Sequence, residues 1–149
     1  MNKLELEFRQ HLQKQMSGFW QLTLHENKLV NPGVPDLSFV MFGGECETGW
    51  LELKAIKAES HMLKFKVESS QHSWMRLNAG MVPAYFLLSV NSEVFMVPGT
   101  LHTMLANPVD RQDLIDVSTA HMHRDRIREF LPSVLSIATT RARNVKSRL

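Results

Sequence analysis

Residues 35–54 read PDLSFVMFGGECETGWLELK, and the alternation within them decides the fold. In the first half, Leu37, Phe39 and Met41 fall on one side of an extended segment, with Asp36, Ser38 and Val40 on the other. A turn opens at Gly43-Gly44 and runs to Gly49, after which Trp50–Ile56 repeats the pattern. There Leu51, Leu53 and Ala55 share one side, and Trp50, Glu52, Lys54 and Ile56 the other. The period of two sends Glu52 and Lys54 to the same face, about 7 Å apart along the strand. If the two strands pair as a hairpin, the faces that carry Asp36 and Glu52 coincide.

Three charges on strands that are otherwise apolar need a reason, because a buried charge costs several kcal/mol unless it is paired or bound to a metal. Metal-assisted cleavage of a phosphodiester supplies that reason. The attacked phosphorus is shielded by charge, so cleavage needs a cation that offsets the developing charge and acidifies a bound water. Mg2+ takes oxygen ligands, usually one or two carboxylates with water and phosphate completing the shell. Asp36 and Glu52 offer the carboxylates, and the Leu53 carbonyl between Glu52 and Lys54 offers a third oxygen. Lys54 stands where its side-chain nitrogen can orient the attacking water or, as the neutral amine, deprotonate it, or where its ammonium can stabilise the transition state.

Working outward, residues 3–16 carry Leu4, Phe8, Leu12 and Met16 at four-residue steps and predict an amphipathic helix, ended by Ser17-Gly18. Phe19–His25 alternates as a strand, and Asn27–Pro35 is a loop. Residues 57–68 form a charged connection holding Lys57, Lys64 and Lys66. A helix capped by Ser69 or Ser70 runs to Asn78-Ala79 and stops at Gly80. Met81–Val90 predicts a central strand and Glu93–Val97 an outer one, joined by a turn at Asn91-Ser92. Beyond lie a short helix near Gly99–Ala106, a loop through Asn107-Pro108, and a helix near Ser118–Phe130 broken by Pro132. The fold class is α/β: a mixed central sheet flanked by helices, with extra C-terminal helices.

At 149 residues the chain suits one domain, with a core over about 3–97 and a helical extension over about 98–149. No apolar run approaches the roughly 20 residues of a membrane span, and the charged start MNKLELEFRQHL makes no signal-peptide core. Cys46 is the single cysteine, which excludes an internal disulfide and a four-cysteine zinc site and fits a reducing cytoplasm. Charge is uneven. Residues 1–120 hold ten Lys/Arg against thirteen Asp/Glu, whereas 121–149 hold seven against two, so the C-terminal part predicts a polyanion contact. His121 and His123, two apart on the predicted last helix, fall on different sides of it and form no ligand face. Trp20, Trp74 and the nine Met read as packing residues.

GVPD, then WLELK, then a helix opening SSQ, then an apolar strand resembles the PD-(D/E)xK nuclease superfamily. Within it, the chain is most similar to compact VRR-NUC-like members and to phage or archaeal members like the Holliday-junction resolvases. The resemblance covers roughly residues 3–97 and implies a restriction-endonuclease-like αβββαβ core. Gly33 stands where the family has its GxPD glycine. Gln71 matches a Gln that faces the site in these members. The family also carries a first-helix Glu that reaches the metal shell through water. Glu5 and Glu7 both compete for that role, and Glu5, which flanks the buried stripe, is preferred. Glu26 is a further acidic candidate.

The resemblance implies a DNA endonuclease using Mg2+ or Mn2+, with Asp36, Glu52, Lys54, Gln71 and Glu5 as site residues. A chain this size, with no separate DNA-reading module, points to recognition of structure (a junction, flap or nick) by a homodimer. Its compartment would be the cytoplasm, that of the host if the chain is phage-encoded. The alternatives are a sequence-specific restriction-type enzyme, which normally needs added loops for major-groove readout, or a non-catalytic nucleic-acid-binding module on the same fold.

Overall fold

A computed structural model describes residues 2–25, 32–42 and 47–135. Glu26, Cys46, the Gly43-Gly44 turn and the basic residues 141–149 lie outside the described residues. Helix α1 (Lys3–Met16) is capped by Asn2, whose side chain accepts from the Glu5 amide at 2.9 Å, and it buries Phe8, Leu12 and Met16. Gly18 ends it at φ +87°, a conformation that favours glycine. Strands β1 (Trp20–Leu24), β2 (Leu37–Met41) and β3 (Glu47–Ile56) then form an antiparallel meander.

After the two-residue β4 (Met62–Leu63) comes α2 (Ser69–Asn78), which crosses to β5 (Ala84–Val90), parallel to β3. Next follow β6 (Glu93–Pro98), a 3-10 helix over Gly99–Ala106, β7 (Val109–Asp110), α3 (Arg111–Val117), β8 (Ala120–His123) and a 3-10 turn over Arg124–Arg126. Residues 127–135 are helical. The main sheet has the order β1-β2-β3-β5-β6-β8, while β4 and β7 pair separately. The chain is thus α/β with a mixed central sheet, as the alternation predicts.

The two faces of the sheet carry two cores. On one, Leu37, Phe39, Leu51 and Leu53 pack with Phe8 and Leu12 of α1 and with Ile127, Leu131 and Leu135. On the other, Phe86, Leu88 and Phe95 pack with Met75 of α2, Leu105 and Leu114. Strand β5 is buried at every position, as a strand covered on both faces must be. Among the described residues no helix is long and apolar enough to cross a membrane.

Several expectations need correction. The turn expected to run to Gly49 gives way by Glu47, where β3 begins. Gly49 serves packing instead, since a Cβ there would lie 2.9 Å from the Phe39 ring. Glu68, one residue ahead of the predicted Ser, caps α2. The central strand starts at Ala84 rather than Met81, because Pro83 has no N–H to donate and only its carbonyl pairs, with the Trp50 amide at 2.9 Å. Strand β6 is not an edge, since β8 pairs beyond it.

The helix expected over 118–130 is instead strand β8, a 3-10 turn and a helix starting at 127, preceded by an unforeseen α3. His121 and His123 therefore share one face of a strand. Nor does Pro132 break the last helix. Residues 127–135 stay helical through it, with Ile127, Leu131 and Leu135 fully buried at four-residue steps, so packing outweighs one lost hydrogen bond.

Candidate active site

Strand β2 begins at Leu37, which pairs with Leu51, so Asp36 stands just beyond the strand's end and opposite Glu52. The Asp36 amide donates to Glu52 Oε2 at 3.1 Å. The Leu53 amide donates to Asp36 Oδ2 at 2.9 Å. This closes a notch past the end of β2, where, among the described residues, no strand pairs with that edge of β3. In an extended strand the N–H and C=O of one residue project to the same edge. The Leu53 carbonyl therefore points into that notch beside Asp36.

Glu52 and Lys54 lie on the face of β3 opposite Leu51 and Leu53, and both are buried, at 1% and 6% exposure. Each charge is compensated. Lys54 Nζ lies 3.6 Å from Glu52 Oε1 and donates to Gln71 Oε1 at 2.9 Å. The Gln71 amide nitrogen donates in turn to Glu52 Oε1. Gln71 occupies the third position of α2, and its Oε1 also accepts the Glu68 amide at 2.9 Å. One side chain thus fixes the start of the helix and joins the acid to the base on the strand below.

The approach of α2 to the Asp36 segment depends on Gly33. It has φ +83°, and a Cβ there would collide with the Ser70 carbonyl. No other residue type allows the loop to cross the first turn of α2 so closely.

A cavity of about 410 Å³ opens over the notch, lined by Asp36, Glu52, Lys54, Gln71 and, from α1, Glu5. Glu5 is half-buried, and burial raises its carboxyl above the ordinary range. Lys54 opposes that shift and Asp36 adds to it. Glu7 lines a different cavity with Lys57 and Arg124, so the structure separates the two first-helix candidates. Asn2, Lys66 and Glu68 also line the site cavity, and none was read from the sequence as a site residue. For Glu68 a signal existed, the Glu-x-x-Gln spacing of a capping pair into Gln71. Of the two tryptophans read as packing, Trp20 is buried 5.9 Å from Phe39, and half-buried Trp74 packs 5.4 Å from Trp50.

Among the described residues, no group of three or more His, Cys, Asp or Glu side chains gathers to hold a metal. Two carboxylates meet here, with a backbone carbonyl beside them. That all-oxygen donor set suits a hard cation completing its shell with water and phosphate. It lacks the nitrogen and sulfur ligands of a structural zinc site. Compared with known proteins, the chain matches no protein-family model and no curated protein.

Proposed function

We propose that the chain is a metal-dependent endonuclease of the PD-(D/E)xK type that hydrolyses DNA phosphodiesters. A single observation carries this reading. Asp36, Glu52, Lys54 and Gln71, drawn from three elements, form one hydrogen-bonded chain on the floor of one cavity. Burying a lysine beside two carboxylates in a domain this small is hard to account for by stability, since such pairs are often neutral against an apolar replacement. The element order α1, β1, β2, β3, α2, β5 supports a restriction-endonuclease-like αβββαβ core, with β4 inserted in the connection.

In this reading Asp36, Glu52 and the Leu53 carbonyl would hold Mg2+ or Mn2+, and Glu5 on the cavity wall would support the metal shell through water. Such a cation, when bound, would supply the acidity of a coordinated water and offset charge on the phosphate. Lys54 is placed to orient the attacking water as the ammonium or, as the neutral amine, to take its proton and become the ammonium that would offset charge building on the phosphoryl oxygens. Gln71 holds the Lys54 nitrogen in place and keeps Glu52 turned into the notch. The protein would work in the cytoplasm as a homodimer on a junction, flap or nick.

The test is a panel of linear, nicked, flapped and four-way-junction DNAs with Mg2+ or Mn2+. Cleavage of at least one, lost in Lys54→Ala, is expected. A wild-type protein that cuts none of them would sink the proposal.

A further inference from the structure

Residues 62–67, which lead from β4 toward the site, alternate strictly in burial: Leu63 and Phe65 are buried, at 1% and 4% exposure, while Lys64 and Lys66 face solvent. Two residues apart on an extended chain, the two lysines stand about 7 Å from each other. Phosphates on one DNA strand rise about 3.4 Å per nucleotide along the helix axis and stand farther apart in space, so two lysines at this spacing can each meet one of two successive phosphates. A groove of about 550 Å³ lies alongside, lined by Lys64, Lys66 and His72 over a floor that includes Leu105 and Ala106.

Lys66 lines both this groove and the site cavity, so the two are neighbours on either side of its side chain. The ring of His72 is tethered at the groove wall, its Nδ1 3.0 Å from Nδ1 of His102. Arg76 follows His72 by one turn of α2 and is exposed. Among the described residues Lys66 pairs with Glu68, 3.6 Å away, in an exposed contact that holds the lysine only weakly. This basic strip stands on a part of the chain that is acidic as a whole, residues 1–120 carrying more Asp/Glu than Lys/Arg. It therefore does not follow from overall composition.

We infer that Lys64 and Lys66, with His72 beside them, form a track for successive phosphates of the nucleic-acid strand as it leaves the candidate site. The inference rests on the nuclease reading, and it adds which way the strand runs: along the 62–67 segment rather than over β1. Lysine ammoniums meet phosphates rather than base edges, so the track acts on the backbone without reading sequence.

The test compares Lys64→Gln/Lys66→Gln with the parent chain, each in a Lys54→Ala background, for binding of a labelled nicked duplex across a salt series. Each lost phosphate contact lowers the slope of log affinity against log salt by about 0.9. The double variant should therefore lose about 1.8 of slope, whereas Lys14→Gln on α1 should lose none. Thermal melts of these exposed-lysine variants should match the parent.

Binding by the double variant with an unchanged slope would overturn the track. The nuclease reading would still stand if the wild type cuts. Conversely, a wild type that cuts nothing, joined to the expected loss of slope, would uphold the track and reject the cutting. A parent chain that binds no DNA would overturn both.

Discussion

Asp36 and Glu52 clasp one another through the backbone: the Asp36 amide donates to Glu52, and the amide after Glu52 donates back to Asp36. Each carboxylate is therefore oriented by a backbone amide of the other's segment. Asp36→Ala would leave the Leu53 amide without its acceptor at a cost of about 1–3 kcal/mol, mixing instability into any loss of activity. Asp36→Asn keeps an oxygen for that amide and removes the charge. Asp36→Asn should reduce cleavage by at least about 10²-fold with the melting temperature nearly unchanged. Retained cleavage in Asp36→Asn would show that the notch is not the reaction centre.

Gln71 bonds to both Glu52 and Lys54 through the two ends of one amide. Gln71→Ala should lower cleavage by about 10–100-fold, comparable with losing a partner that orients a site ligand. It should also cost about 1 kcal/mol, because the Glu68 amide loses its cap. Gln71→Glu should be the worse variant for activity despite its closer shape. It cannot donate to Glu52 and brings a third negative charge to the floor of the cavity. Steady-state cleavage rates and chemical denaturation of the two variants, measured together, separate these effects.

Gly33→Ala is expected to destabilise the fold by about 3 kcal/mol or more, since it combines a strained positive φ with a collision against backbone. At this chain length that is a drop of roughly 6–12 °C in melting temperature. Because the collision is with the first turn of α2, the surviving folded protein should also lose cleavage. A Gly33→Ala protein that melts and cuts like the wild type would contradict the close crossing described above.

Glu93 joins three elements. It accepts a two-pronged contact from Arg111 at the start of α3 and another from His121 on β8, whose ring stacks on Phe95 at 4.5 Å. The hydrogen bonds from Arg111, aided by His121, hold its carboxyl below the ordinary value of 4.5. A depressed folded value means that the stabilisation is fully present above the unfolded pKa and is lost as pH falls through the folded one. Glu93→Gln should therefore melt lower than wild type at pH 7. The gap should close as the pH falls below about 4.5, the ordinary glutamate value. A gap that persists unchanged at low pH would mean that Glu93 acts there by packing and not by charge.

What could be read in advance followed from periodicity. Leu37, Phe39 and Met41 alternate with Ser38 and Val40 so regularly that their faces are plain, and the same holds for Glu52 and Lys54. The β4–β7 pair could not be read, because two residues each carry no period. Ala120–His123 was misread because its two histidines do not mark a strand, and what makes it one is the open edge of β6, a tertiary fact. Gly49 looked like a turn signal only because the Phe39 ring above it is invisible in one dimension. Lys66 was legible as charge but not as a member of the site. Its place there depends on where the 62–67 segment lies beside α2.

The four bonds that close the notch span only 16, 17, 17 and 19 positions. Ala120, which opens β8, comes 49 positions after Gln71. At about 5–20 residues per second, a ribosome needs roughly 2–10 s to travel that distance. During those seconds every residue of the notch already exists, Glu5 included, while the strand that shields the far edge of the sheet has not been made. The residues of the notch are all made early, and the later ones close the far edge of the sheet and, through Ile127, Leu131 and Leu135, complete the core beneath β2 and β3.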